Sequence, residues 1–126
     1  MITKIDLSGF AEVSRSGIKE LLESIEQLPC LKSLSLRNNR INDEYSNEIL
    51  SIFDNKSITT IDLSQNFMKK LGMDIGKKLK DECSHVTWID LTQNDFDYDL
   101  ATVAMIINGL KKQKDLIYIG LSCQDK

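Results

Sequence analysis

The sequence predicts an α/β fold in which short parallel strands, each followed by a helix, repeat into a curved solenoid. The sheet is expected on its concave face and the helices on its convex face. Three observations predict this. A nine-residue phrase, apolar at positions one, four and six, recurs in phase along the chain. Apolar residues spaced three and four apart fill the stretches between phrases. Asparagine closes each of the three central phrases. Self-similarity at a period of roughly 20–50 residues marks repeat architectures, whose units bury their apolar faces only against one another.

The phrases run as follows. Ile2-Thr-Lys-Ile5-Asp-Leu7-Ser-Gly-Phe10 is degenerate at its end. Leu31-Lys-Ser-Leu34-Ser-Leu36-Arg-Asn-Asn39, Ile58-Thr-Thr-Ile61-Asp-Leu63-Ser-Gln-Asn66 and Val86-Thr-Trp-Ile89-Asp-Leu91-Thr-Gln-Asn94 are complete. Leu116-Ile-Tyr-Ile119-Gly-Leu121-Ser-Cys-Gln124 departs again at position nine. Starts at 2, 31, 58, 86 and 116 give intervals of 29, 27, 28 and 30 residues. Positions four and six alternate with polar neighbours, as in a half-buried strand of period two.

Between phrases the period changes to that of a helix. The first helix is expected to carry Ile18, Leu21, Leu22, Ile25 and Leu28, and the second Ile49, Leu50 and Phe53. The third carries Leu71, Ile75 and Leu79; the fourth carries Leu100, Val103, Ile106, Ile107 and Leu110. N-cap candidates are Ser14 or Ser16, Asn42 or Asp43, and Asp97 or Asp99. The third helix has no obvious cap, and Gly72 and Gly76 weaken it. Strands and helices alternating in this order require a parallel sheet with the helices outside it. The expectation is one domain over residues 1–126 with about four and a half units.

A carboxamide at a tight turn can satisfy backbone groups of its own unit and of the next. Asn39, Asn66 and Asn94 are therefore expected to form a structural ladder. Phe10 and Gln124 interrupt it and mark the terminal units.

The phrase L-x-x-L-x-L-x-x-N, in five in-phase copies covering the whole chain, resembles the leucine-rich repeat. The period and the helical second halves are similar to those of the ribonuclease-inhibitor-like class. That resemblance implies a horseshoe segment and non-catalytic recognition of a protein by the concave face. The same class is similar to Ran GTPase-activating proteins, which keeps a GTPase-regulatory role open. Those proteins are much longer and carry an acidic tail absent here, and no functional residue of theirs can be matched. A third possibility is a structural subunit of a cytoskeletal or organellar complex, resembling the repeat domain of tropomodulins.

Composition narrows the alternatives. The 126 residues carry 16 Lys+Arg against 19 Asp+Glu, a net charge of −3. Nucleic-acid binding usually leaves a basic imprint, so it is not expected. No apolar run reaches the ~18–20 residues of a membrane span. The chain opens without the basic and apolar regions of a signal peptide. Three cysteines (Cys30, Cys83 and Cys123) lack metal-ligand spacing and suit a reducing, cytoplasmic compartment. They read as small core residues.

Catalysis finds no foothold. His85 stands two residues after Cys83, but no third group completes a nucleophile–base set. Gly72-Met-Asp-Ile-Gly76 follows no predicted strand and is not a phosphate loop. No enzyme activity and no cofactor is expected. Lys69, Lys70, Lys77, Lys78, Lys80, Lys111, Lys112 and Lys114 lie on or beside two adjacent outer helices, interspersed with Asp74, Asp81, Glu82 and Asp115. They read as a solvated outer face, with an acidic partner as the alternative.

The concave face is more informative. By alternation, positions three, five and seven point away from the helices. Position three reads Lys4, Ser33, Thr60, Trp88 and Tyr118; position five reads Asp6, Ser35, Asp62, Asp90 and Gly120; position seven reads Ser8, Arg37, Ser64, Thr92 and Ser122. Trp88 is expected beside Tyr118, facing solvent, and Asp62 beside Asp90. Adjacent like charges and exposed aromatics both depart from what a solvated sheet would choose. Trp88, Tyr118, Asp62, Asp90, Arg37 and Thr60 are therefore the expected partner-binding residues, and acid beside the aromatics suits a basic protein partner. Calcium at Asp62 and Asp90 is the lesser alternative, since that ion takes six to eight oxygens. Neither end has room for a separate polar cap. At least one end is therefore expected to be covered by self-association, by another chain or by further residues of a longer protein.

Overall fold

The structure, a computed structural model, describes residues 1–10, 14–82, 85–95, 100–110 and 118–121. Five three-residue strands form one parallel sheet in chain order: β1 (Lys4–Asp6), β2 (Ser33–Ser35), β3 (Thr60–Asp62), β4 (Trp88–Asp90) and β5 (Tyr118–Gly120). Helices α1 (Arg15–Ile25), α2 (Ser46–Ile52), α3 (Leu71–Glu82) and α4 (Leu100–Leu110) connect them. Sequential order with parallel neighbours and right-handed crossovers puts every helix on the same side of the sheet. The result is a mixed α/β, leucine-rich-repeat-like fold.

Register follows the repeat phrase without a slip. Ile5, Leu34, Ile61 and Ile89 stand opposite one another in successive strands. Leu34, Ile61 and Ile89 of position four, and Leu36, Leu63 and Leu91 of position six, are buried. Leu31, Ile58 and Val86 of position one close the core from below. Ile18, Ile25, Ile49, Ile52, Phe53, Leu71, Ile75 and Leu79 meet them from the helices. The first unit is less enclosed: Ile5 and Leu7 are half-buried, and Ile2 and Phe10 are exposed.

The position-nine carboxamides tie these units together. Asn66 Oδ1 accepts from the amides of Asn39 (2.9 Å) and Ile41 (3.0 Å) in the preceding unit. Its Nδ2 donates to Leu36 O (3.1 Å), Leu63 O (3.0 Å) and Ser64 O (3.1 Å). Asn94 repeats the arrangement, accepting from Met68 N (3.1 Å) and donating to Leu63 O and Leu91 O (both 3.0 Å). Asn39 donates to Leu7 O (3.0 Å), yet its buried Oδ1 has no partner. The corresponding donors would come from the turn at Phe10, where the sequence leaves the repeat.

Position eight of the phrase adopts left-handed backbone in each unit where φ is positive: Gly9 (81°), Asn38 (58°), Gln65 (56°) and Gln93 (54°). That turn reverses the chain directly after each strand and aims the following asparagine inward.

The helix starts differ from expectation in one respect. Ser14 caps α1, accepting from Gly17 N at 3.0 Å. Asn42 caps a single 3-10 turn (Asp43–Tyr45) ahead of α2, accepting from Glu44 N at 2.9 Å. Asp43 instead serves α3, across the unit boundary. Its Oδ1 accepts from Lys69 N and Leu71 N (both 3.0 Å), and its Oδ2 from Lys70 N (2.9 Å). The cap of the third helix thus comes from the unit before it. Gly72 and Gly76 are both buried, and α3 runs through them. The expected caps Asp97 and Asp99 lie outside the described residues, as do Ser122, Gln124, Cys83, Cys123, Lys111, Lys112 and Lys114.

Two predictions follow from these bonds. Asn66→Ala should lower stability by about 2–3 kcal/mol, because five bonds to two units disappear and buried backbone groups are orphaned. Asn39→Ala should cost clearly less, about 1 kcal/mol, because its oxygen satisfies nothing. Denaturant midpoints at equal slope measure the difference, and equal losses would refute it.

For Asp43, partial burial pushes the carboxyl pKa up; the amides of Lys70, Lys69 and Leu71 and the Lys70 charge outweigh it, so the net shift is downward. A lowered folded pKa means the cap contributes fully above about pH 4 and is lost as pH falls through the folded value. Asp43→Ala should cost about 1 kcal/mol at pH 7 and flatten the acid limb of a stability–pH curve. An unchanged midpoint at neutral pH would exclude the cross-unit cap.

Candidate functional site

The helix-free face of the sheet is built by strand alternation, which turns positions three and five to one side. Register sets Thr60 beside Trp88, Trp88 beside Tyr118, and Asp62 beside Asp90. Arg37, two residues beyond Ser35, is exposed. Trp88 and Tyr118 stack with ring centroids 5.0 Å apart and planes inclined by 18°. Their separation is that of neighbouring parallel strands, so the sheet itself sets the stacking distance.

Trp88 is half-buried rather than open to solvent. Tyr118 covers one face of the indole and itself remains 40% exposed. The pair is therefore a single amphipathic platform on the last two strands.

Gly120 makes this arrangement possible. A Cβ there would stand 2.6 Å from Thr92 Cγ2 and 2.8 Å from both Asp90 Oδ1 and Tyr118 Oη. The phenol ring leans over Gly120 along its own strand, into space that any other residue would occupy.

The acids at position five have a local task that the sequence pattern did not reveal. Asp62 Oδ1 accepts from Ser64 N (2.9 Å) and Ser64 Oγ (2.6 Å). Asp90 Oδ1 accepts from Thr92 N at 2.8 Å. Asp6 takes the amide and hydroxyl of Ser8 in the same way. These bonds, the hydroxyl first, hold the Asp6 carboxyl below its usual pKa. In Ser35 a hydroxyl replaces the acid and accepts from Arg37 N at 3.4 Å. The motif is an Asx turn ending β1, β3 and β4, and its signal in the sequence is the pair Asp-Leu-Ser or Asp-Leu-Thr.

At position seven Ser8 and Arg37 are exposed as expected, whereas Thr92 is half-buried and Ser64, just past the central strand with a neighbour on each side, is buried. The second carboxylate oxygens of Asp62 and Asp90 carry the acidity of the patch. Among the described residues, no three acids, histidines or cysteines gather where they would hold a metal ion.

Elsewhere the sequence candidates separate. His85 is half-buried outside this patch; burial, then the Lys56 charge, push its pKa down. Lys78 Nζ pairs with Asp54 at 2.8 Å, while Lys69, Lys70, Lys77 and Lys80 are exposed. Cys30 is half-buried with a free thiol. Among the described residues, no helix is long and apolar enough to cross a membrane.

No protein-family profile and no curated protein matches this chain. Among solved structures, the fold is similar to the tropomodulin C-terminal domain of Caenorhabditis elegans. The TM-score is 0.76, with 96% of this chain and 74% of that chain covered at 14% sequence identity. That likeness concerns the fold.

The platform yields a direct test. Gly120→Ala should push the Tyr118 ring off Trp88, the only tryptophan in the chain. Emission should move to the red and acrylamide quenching should rise. An unchanged spectrum would show that the ring does not depend on the glycine.

Proposed function

We propose that this chain is a non-catalytic protein-interaction module. In this reading it is a solenoid of about four and a half ribonuclease-inhibitor-like repeats, and the helix-free sheet face is its concave binding surface. The observation that carries the proposal is the stacked Trp88–Tyr118 pair at 5.0 Å on that face, Tyr118 exposed and Trp88 half-buried, beside Asp62 and Asp90. Tryptophan and tyrosine are enriched among residues that dominate binding energy, because a rigid ring offers large area at small entropic cost. A solvated sheet face has no use for such a pair. The flanking carboxylates suit a partner with basic side chains, whose approach they would steer. Thr60 on the adjacent β3 and Arg37 just past β2 would border the contact. A reducing, cytoplasmic setting accords with the free thiol of Cys30.

A second reading is a structural subunit of a cytoskeletal complex. The likeness in fold to the tropomodulin C-terminal domain over nearly the whole chain favours it. The two readings share one surface and differ in whether the partner forms a permanent, stoichiometric assembly.

The experiment is affinity capture from native cells with the wild-type chain and with Trp88→Ala, followed by titration of the protein that only the wild type retains. Trp88→Ala should weaken binding by about 2 kcal/mol or more while leaving the folded baseline intact. Asp62→Asn with Asp90→Asn should mainly slow association and reduce its dependence on salt. Unchanged affinity in the alanine variant would move the interface off the sheet.

A further inference from the structure

Among the described residues, β1 lies at the edge of the sheet and bonds on one side only. Thr3 O accepts from Lys32 N (2.8 Å) and Ser33 N (3.0 Å), Leu7 N donates to Ser35 O (3.0 Å), and Gly9 N donates to Arg37 O (2.9 Å). The odd-numbered residues thus turn their backbone groups toward β2, and by alternation Lys4 and Asp6 turn theirs outward. The side chains of Lys4 and Asp6 are exposed on the helix-free face, and Ile5 between them is only half-buried on the other. Open edges invite pairing, and proteins usually blunt them with charge. Here the two charges are of opposite sign and stand two residues apart.

This edge is not built to carry a further repeat behind it. Asn66 and Asn94 each draw amides of the preceding unit onto their side-chain oxygen. Phe10 holds the same position in the first unit, is 58% exposed and offers no acceptor.

We infer that β1 pairs with β1 of a second copy, antiparallel about a two-fold axis at Ile5, so that the two sheets become one. Hydrogen bonding is the first argument. In an antiparallel pair, opposed residues whose backbone groups face each other exchange two bonds. With the axis at Ile5, Lys4 stands opposite the partner's Asp6, and Asp6 opposite the partner's Lys4. Four bonds then satisfy the outward groups of both copies. Charge is the second argument, and it selects the register. An axis at Lys4 would oppose the two lysines, and an axis at Asp6 the two aspartates. Like charges directly opposite destabilise a sheet, whereas the axis at Ile5 gives each residue an opposite charge. Asp6 Oδ1 already holds Ser8, which leaves Oδ2 for the partner's lysine. Burial is the third argument. The two Ile5 side chains meet at the closer spacing of a non-hydrogen-bonded pair, about 4.5 Å between Cα atoms. They cover the apolar side that the first unit leaves half open. The contact is isologous and self-complementary, as a two-fold dimer requires. It is small and draws its affinity from main-chain bonds, so the dimer is weak. Trp88 lies on β4, away from this edge, and the contact is independent of the proposed partner surface.

The test is sedimentation equilibrium of the whole chain from about 10 µM to about 1 mM, the range of weak association. The mass should rise from monomer toward dimer. Lys4→Glu and Asp6→Lys should each weaken self-association by about tenfold or more, because opposed residues then carry like charge. Mixing the two folded variants should restore a dimer, since every opposed pair again has opposite sign. Lys4→Glu leaves the Ser8 turn intact, so it keeps the test valid if Asp6→Lys perturbs folding. In the wild type, amide exchange at Lys4 and Asp6 should slow as concentration rises, while Ile5 is unchanged. A strict monomer at the highest concentration would overturn the inference. So would a dimer that Lys4→Glu does not weaken, one that leaves those two amides unprotected, or folded variants that stay apart when mixed. Trp88→Ala should self-associate like the wild type, which separates failure of this contact from failure of the sheet surface.

Discussion

The carboxamide at position nine is the constraint on which the other features rest. An amide side chain holds an acceptor and a donor on one rigid plane, and Asn66 uses both. Its oxygen collects amides of the unit behind, and its nitrogen spans carbonyls of that unit and its own. The strands are only three residues long, so the ladder between any two of them holds few backbone bonds. The buried asparagines supply the additional coupling that keeps such short strands in register. They also explain the left-handed residue before them: without that turn the side chain would point outward, and buried carbonyls would lose their donors.

Cross-unit dependence continues on the helical side. Asp43 satisfies three amides at the start of α3 from a position 26 to 28 residues earlier. A helix that begins at Leu71 after Lys69-Lys70 has no side chain of its own suited to this, and the neighbour removes the need. The turn after β2 and the start of α3 are therefore not self-sufficient. Each is completed by a neighbouring unit, and stability should spread through nearest-neighbour contacts.

Much of this fold is legible in the sequence because its two periods are fixed by backbone geometry. Alternation of two places Leu34, Ile61 and Ile89 inward and their neighbours outward, whatever the surroundings. The same alternation sets Trp88 beside Tyr118, since in-phase phrases leave one register. Features that depend on a third dimension are not legible. The cap from Asp43 joins residues about one repeat apart, and no local pattern announces it. The half-burial of Trp88 depends on the lean of Tyr118, which depends on a missing Cβ at Gly120. The Asp-Leu-Ser and Asp-Leu-Thr turns are visible as a pattern, but acid at an outward position reads first as surface charge.

That double use of the aspartates ties the candidate site to the scaffold. One oxygen of Asp62 and of Asp90 ends its strand by holding the amide two residues on. The carboxylate is thereby fixed in rotamer before any partner arrives, which reduces the entropy lost on binding. The stacked rings are likewise held by strand spacing, with Gly120 making room. A surface whose aromatic and acidic groups are both set by the repeat geometry needs little rearrangement to receive a partner. The same local bonds would appear in a solenoid with no partner at all, so they account for the acids without invoking binding. Nothing in the scaffold requires the aromatic pair. Thr60 and Ser33 occupy the same position on adjacent strands, where small polar side chains suffice. The functional argument therefore rests on the rings, and the aspartates lend them a charge that the fold already maintains.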